Sequence, residues 1–148
     1  MKVEIGRYPD SKSKARRLER VKIDSWDTWS LDHTLALIIA PALRKFKKAN
    51  NGIPVSLMDL SHHETMDWKS AAYKKAERKA TDRAAKEWDK ILDAMIWSFE
   101  EVVAENPGQP DITKFKDKRQ WRRKWDAYHK RLDKGFALFG KWYGGLWT

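Results

Sequence analysis

The spacing of apolar residues changes near residue 30 of the 148-residue chain, from the two-residue period of a strand to the period of a helix. Val3/Ile5 and Val21/Ile23 alternate with charged residues, which predicts half-buried strands over residues 2–8 and 18–26. Pro9-Asp10-Ser11-Lys12-Ser13-Lys14 between them is too polar to pack and predicts a turn. Residues 1–26 therefore read as a two-stranded β-ribbon. Two strands alone are marginal in water, so the ribbon should lean on helices or on another subunit.

Three helical regions follow. Ser30 is a candidate N-cap for Leu31, Leu35, Ile38, Ile39, Leu43 and Phe46, an apolar face that predicts a helix over 30–50. Asp32 suits the positive end of its dipole. Pro41 should kink it or start a new turn, and Asn50-Asn51-Gly52 should stop it. The second region, 65–105, has two halves. Lys69 to Lys86 is rich in Ala and charge with a weak apolar face, whereas Trp88, Ile91, Leu92, Met95, Ile96, Phe99 and Val102 make a wide apolar stripe. Asn106-Pro107-Gly108-Gln109-Pro110 ends it. The third region, 111–143, carries Trp121, Trp125, Tyr128, Leu132, Gly135/Phe136, Phe139, Tyr143 and Leu146 as a heptad-like seam. The expected fold is mainly α: a β-ribbon, then three long helices, in one domain spanning 1–148.

Composition narrows the class. No cysteine is present, which excludes a disulfide scaffold, a zinc ribbon and a thiol nucleophile. Nine Trp, four Tyr and five Phe are too many for a disordered chain. No apolar run is long enough for a membrane span, and Met1-Lys2-Val3-Glu4-Ile5 lacks a signal-peptide core, so no export is expected. The formal charge of +10 is uneven: residues 1–25 carry +4, residues 64–105 carry −2 and residues 111–148 carry +7. Such a field attracts anions of every size, or it serves solubility alone.

Four segments could carry chemistry. Asp27-Thr28-Trp29-Ser30-Leu31-Asp32-His33-Thr34 sits where a helix begins, where free backbone N–H groups attract anions; the same residues also serve as caps and dipole partners. Asp89, Asp93, Trp97 and Glu100 share a helix face. Carboxylates stacked in this way gather a metal or pair with cations, and Arg131, Lys134 or Lys141 are the expected partners. The run from Arg119 to Arg131 interleaves cations with aromatics, as in proteins that clamp phosphates while rings stack on bases. Its aromatics fall on the seam, which leaves Arg122, Arg123, Lys130 and Lys134 on a solvated basic face. The tail from Gly135 to Thr148 mixes glycines with aromatics, and each helical glycine costs about 1 kcal/mol unless a close approach needs it. His62-His63-Glu64 sits in a predicted loop without partners at metal spacing. No phosphate loop, Gly-x-Ser-x-Gly, His-Glu-x-x-His or dinucleotide fingerprint is present, so no familiar enzyme is expected.

Asp27-Thr28-Trp29-Ser30-Leu31-Asp32-His33-Thr34-Leu35-Ala36, the stretch from Trp88 to Phe99-Glu100, and Gly135-Phe136-x-Leu138-Phe139-Gly140-Lys141-x-Tyr143-x-x-Leu146-Trp147 occur here in that order. In these blocks, and in its opening Met1-Lys2-Val3-Glu4-Ile5-Gly6-x-Tyr8, the chain resembles an uncharacterised family of small proteins of tailed bacteriophages. The blocks cover about half of the chain and leave residues 56–84 unmatched. The resemblance implies a phage origin and action in the cytoplasm of the infected bacterial host, without implying a reaction.

A small basic phage protein without an enzyme motif is expected to bind rather than catalyse, with no cofactor and no metal. The favoured expectation is a counter-defence protein that sequesters a small anionic nucleotide-type immune signal in pockets formed by a homo-oligomer. Its candidate ligand-binding residues are Trp29 and His33 near the first helix start, with Arg131, Lys134, Lys141 and Tyr143 from the third helix. Alternatives are a basic helical nucleic-acid-binding protein and an inhibitor of a host protein. A metal-dependent phosphohydrolase using Asp89, Asp93, Glu100 and His33 is the enzymatic outsider.

Overall fold

A computed structural model describes residues 1–7, 15–49 and 52–146. Strands β1 (Lys2–Ile5) and β2 (Glu19–Lys22) pair antiparallel, with Val3 opposite Val21 and Glu4 opposite Arg20. Both strands are shorter than the expected ribbon, and beyond β2 the chain turns into a 3-10 helix at Ser25–Thr28 in place of the expected strand end at 26. The strands are also exposed along their whole length instead of half-buried. The expected turn at 9–14 and the Asn50-Asn51 stop lie outside the described residues.

Helix α1 (Leu31–Ala49) continues through Pro41, which lies on its exposed side. Ahead of it, the Thr34 hydroxyl donates to the Asp27 carbonyl at 3.1 Å, and Asp27 accepts from the terminal amine of Met1 at 2.7 Å. These two bonds join the start of α1, the 3-10 turn and the end of the ribbon. A separate four-residue α2 (His62–Thr65) comes next, and the predicted 65–105 helix starts later, as α3 (Ala71–Val103), which Ser70 caps by accepting from the Tyr73 N–H. The predicted loop histidines therefore sit on a helix. After a 3-10 turn at Ile112–Lys114, α4 (Lys118–Trp142) starts at an Asp117 cap, later than residue 111 because Asp111 caps the turn instead.

The helices share one hydrophobic core. Helix α3 lies in its middle, and α1 and α4 both pack on it. Ala36, Ala40 and Leu43 of α1 meet Trp88, Leu92, Met95 and Phe99 of α3, while Phe136, Phe139 and Trp142 of α4 close the other side. Each large apolar side chain removed from water contributes about 1.5–3 kcal/mol, so this stripe dominates the fold's stability. Both partners run antiparallel to α3. Phe46 meets Trp88 whereas Arg44 meets Glu100; Trp142 meets Trp88 whereas Tyr128 reaches Glu101. The α3–α4 crossing is tight at Gly135, where an added Cβ would lie 2.0 Å from the Ser98 hydroxyl and 2.5 Å from the Ala94 carbonyl. That buried hydroxyl donates to the Leu132 carbonyl at 3.0 Å. The glycine buys close approach between helices, whereas at Gly140 and Gly144 an added Cβ would meet nothing within 4 Å.

Because α1 and α4 both end level with Trp88, the first half of α3 projects beyond them. From Ala71 to Trp88 this arm is about 25 Å long at the rise of an α-helix. Tyr73, Ala80 and Ala84 give it a narrow buried edge, against which α2 and the 3-10 turn at Val55–Leu57 pack.

Candidate basic groove and interhelical concavity

The arm's apolar face is narrow because charge occupies the rest of it. Lys75, Arg78, Lys79, Arg83 and Lys86, at helical spacings of 3, 1, 4 and 3, line one open groove of about 510 Å³ with Asp82 as the single acid. Among the described residues, none of these five cations forms an ion pair with a carboxylate. The groove spans about 16 Å of helix at 1.5 Å per residue. Beside it, Lys79 and Arg83 also line a cleft of about 200 Å³ with Asp59, Ser61 and His62. The amide and hydroxyl of Ser61 donate to Asp59, at 3.2 and 2.8 Å, and hold its carboxyl below the ordinary range. His62 is buried, and its Nε2 has no hydrogen-bond partner among the described residues. His63 instead lies within 3.1 Å of the Tyr73 hydroxyl. Just ahead of α3, Trp68 is 67% exposed, with Lys69 over its ring at 5.1 Å.

A second concavity, also about 510 Å³, lies between α1 and the end of α3. Leu37, Pro41, Arg44, Trp97, Glu100 and Pro107 contribute to its walls. Pro41 has no N–H, so the Leu37 carbonyl of this wall lacks its usual helical donor. Arg44 is ion-paired with Glu100. Behind this wall of the concavity, the Arg131 guanidinium covers the Trp97 ring at 3.7 Å, and Tyr128 meets that ring edge-on. The turn beyond α3 bounds the same end: Glu105 and Asn106 both have positive φ, 58° and 60°. The Tyr128 hydroxyl holds this turn by donating to Glu101 at 2.9 Å, with Asn106 Oδ1 at 3.2 Å as a second acceptor. Burial, reinforced by the Glu101 carboxylate, pushes the Tyr128 phenol up to about 12.

The six sequence-predicted ligand residues do not converge. Trp29, 80% exposed and 5.1 Å from Trp26, and the half-buried His33 stand at the start of α1. Lys141 and Tyr143 stand at the far end of α4, where Lys141 lies over Trp142 and Tyr143 packs its edge on Phe139. Since α1 and α4 run the same way along α3, these two groups lie at opposite ends of the bundle. Arg131 and Lys134 are exposed between them, and Arg131 reaches the concavity only through Trp97. The carboxylates of α3 also find other partners than expected. Asp93 pairs with Lys47 at 2.6 Å and Glu100 with Arg44, both from α1, because α1 and not α4 borders that face. Among the described residues no cluster of acids and histidines is arranged to hold a metal. The solvated basic face expected on α4 is present, with Arg122, Arg123, Lys130 and Lys134 all exposed, and Trp121, Trp125 and His129 form a half-buried ring ladder beside it.

The arm groove went unseen in the sequence because charge summed over residues 64–105 is negative. Sorting residues 74–86 by helix face would have found it. No protein-family model, curated protein or solved structure matches this chain.

Proposed function

We propose that the chain binds a nucleic-acid strand through the arm of α3, without catalysis. The observation that supports this reading is the alignment of Lys75, Arg78, Lys79, Arg83 and Lys86 in one open groove, five cations to the single acid Asp82 and none of them ion-paired among the described residues. A row of cations along a straight helix follows a chain of phosphates, and the counterions it releases drive affinity. Exposed Trp68 ahead of the arm offers a ring on which a base can stack. An open groove with cations at intervals suits a polymer better than a single small molecule, which prefers an enclosing and largely apolar site.

The test is fluorescence anisotropy of a labelled single-stranded oligonucleotide at several salt concentrations. Wild type should bind with a log–log salt slope set by the phosphates it contacts. The Lys79→Gln, Arg83→Gln double variant should bind every sequence more weakly and lower that slope by about 1.4, at ~0.7 per cation on a single strand. An unchanged slope would remove the arm from the interface.

A second reading, sequestration of a small anionic nucleotide-type signal by a phage counter-defence protein in the host cytoplasm, is supported by the concavity between α1 and α3. Its volume suits a mononucleotide, Trp97 offers a ring, and Arg44 could exchange Glu100 for a phosphate. A thermal-shift panel separates the two readings, since a ligand that binds the folded state alone raises the melting temperature. A salt-resistant shift from one nucleotide favours the concavity; a shift from oligonucleotides that fades with salt favours the arm.

A further inference from the structure

Among the described residues, the ribbon presents an apolar face that nothing covers. Strand alternation and register put Val3, Ile5 and Val21, with Ile23 just beyond β2, on one side, and Lys2, Glu4, Arg20 and Lys22 on the other. Val3, Ile5, Val21 and Ile23 are 38–61% exposed. Trp26 and Trp29, more exposed still and 5.1 Å apart, stand where the ribbon joins α1. An isolated two-stranded ribbon does not hold itself together in water, and this one is tied to the helices chiefly through Met1 and Asp27.

We propose that this surface is covered by a second copy of the same chain, packed ribbon face to ribbon face with the Trp26/Trp29 pair at its margin. Three observations select that occupant. The apolar face is complementary to itself, as a two-fold interface requires. Its strand positions carry one charge, Glu19, because the cations of both strands point to the opposite side, so two copies of a +10 chain meet without opposing their lysines and arginines. The exposed portions of Val3, Ile5, Val21, Ile23, Trp26 and Trp29 amount to on the order of 700 Å² per copy, taking roughly 150–250 Å² for each large aromatic side chain. A stable pair buries about 800 Å² on each partner. The ribbon lies at the end of the bundle opposite the arm of α3, so pairing leaves both arms free.

Sedimentation equilibrium over a wide concentration range tests the proposal on the full chain. Wild type should run at twice the chain mass at high concentration, and Val21→Lys and Trp29→Ser should each shift the equilibrium at least tenfold towards monomer. Both variants should keep the wild-type helical circular dichroism. Trp29→Ser, which lies outside the strands, serves should Val21→Lys disturb the ribbon itself. A wild type that stays monomeric throughout overturns the proposal, as does a dimer that persists in both variants. Oligonucleotide quenching in a monomeric wild type that is lost when Trp26 and Trp29 are both replaced by Phe, and kept when Trp68 is, would assign the surface to nucleic acid instead. The result does not depend on the arm, because the salt slope of oligonucleotide binding is read separately.

Discussion

At Gly135 a single hydrogen in place of a methyl sets the distance between two helices. The space a Cβ would need is taken by the Ser98 hydroxyl and the Ala94 carbonyl, and Ser98 is fully buried. Backbone and a sealed side chain cannot give way cheaply, so Gly135→Ala should destabilise the fold by about 2 kcal/mol or more, in spite of alanine's better helix propensity. Urea denaturation measures this. An alanine that stabilises would show that α4 can shift off α3. At Tyr128 the prediction concerns pH. Its phenol is held protonated to about 12 in the folded chain and ionises near 10 when unfolded. The contribution of this group is therefore complete below pH 10 and is lost as pH rises from 10 to 12, where the unfolded state releases the proton first. Tyr128→Phe should abolish that slope in alkaline urea titrations and cost about 1–2 kcal/mol at neutral pH, since it leaves Glu101 and Asn106 short of a donor.

The elements themselves were largely legible in the sequence. Apolar spacing from Trp88 to Val102 identified the half of α3 that builds the core, and Asn106-Pro107-Gly108 identified its end, now seen as two residues in the left-handed region. The seam on α4 was legible as well, with Tyr128, Leu132 and Gly135 buried at its centre. What escaped was whatever depends on which elements become neighbours. The carboxylates of α3 were assigned to cations of α4, but helix periodicity alone cannot say that α1 borders them. Alternation in the ribbon gave the right faces and the wrong burial, because a two-residue period shows that a strand has an apolar side and not that anything covers it. The candidate ligand residues failed to converge for a similar reason: Trp29 and Tyr143 carry the right chemistry at opposite ends of one bundle.

For the molecule as a whole, the arrangement separates apolar, packed and cationic regions along one axis. The ribbon with Trp26 and Trp29 occupies one end, the packed core the middle and the cationic arm, with Trp68 ahead of it, the other. No helix is long and apolar enough to cross a membrane among the described residues. Of the net charge of +10, residues 111–148 carry +7 and residues 1–25 carry +4, and the cations of β1 and β2 lie on the side away from the apolar strand face. The same layout makes α3 uneven along its length. Its second half is the one surface that both neighbouring helices need, whereas its first half borders only short elements. Amide hydrogen exchange should divide this continuous helix accordingly. Amides within 71–87 should exchange through local opening, and those of 90–100 only when the entire fold is lost. A uniform rate along α3 would mean that the arm is as well supported as the core. With the division, the segment proposed to meet a nucleic-acid strand can fray and re-form many times between openings of the body that carries it.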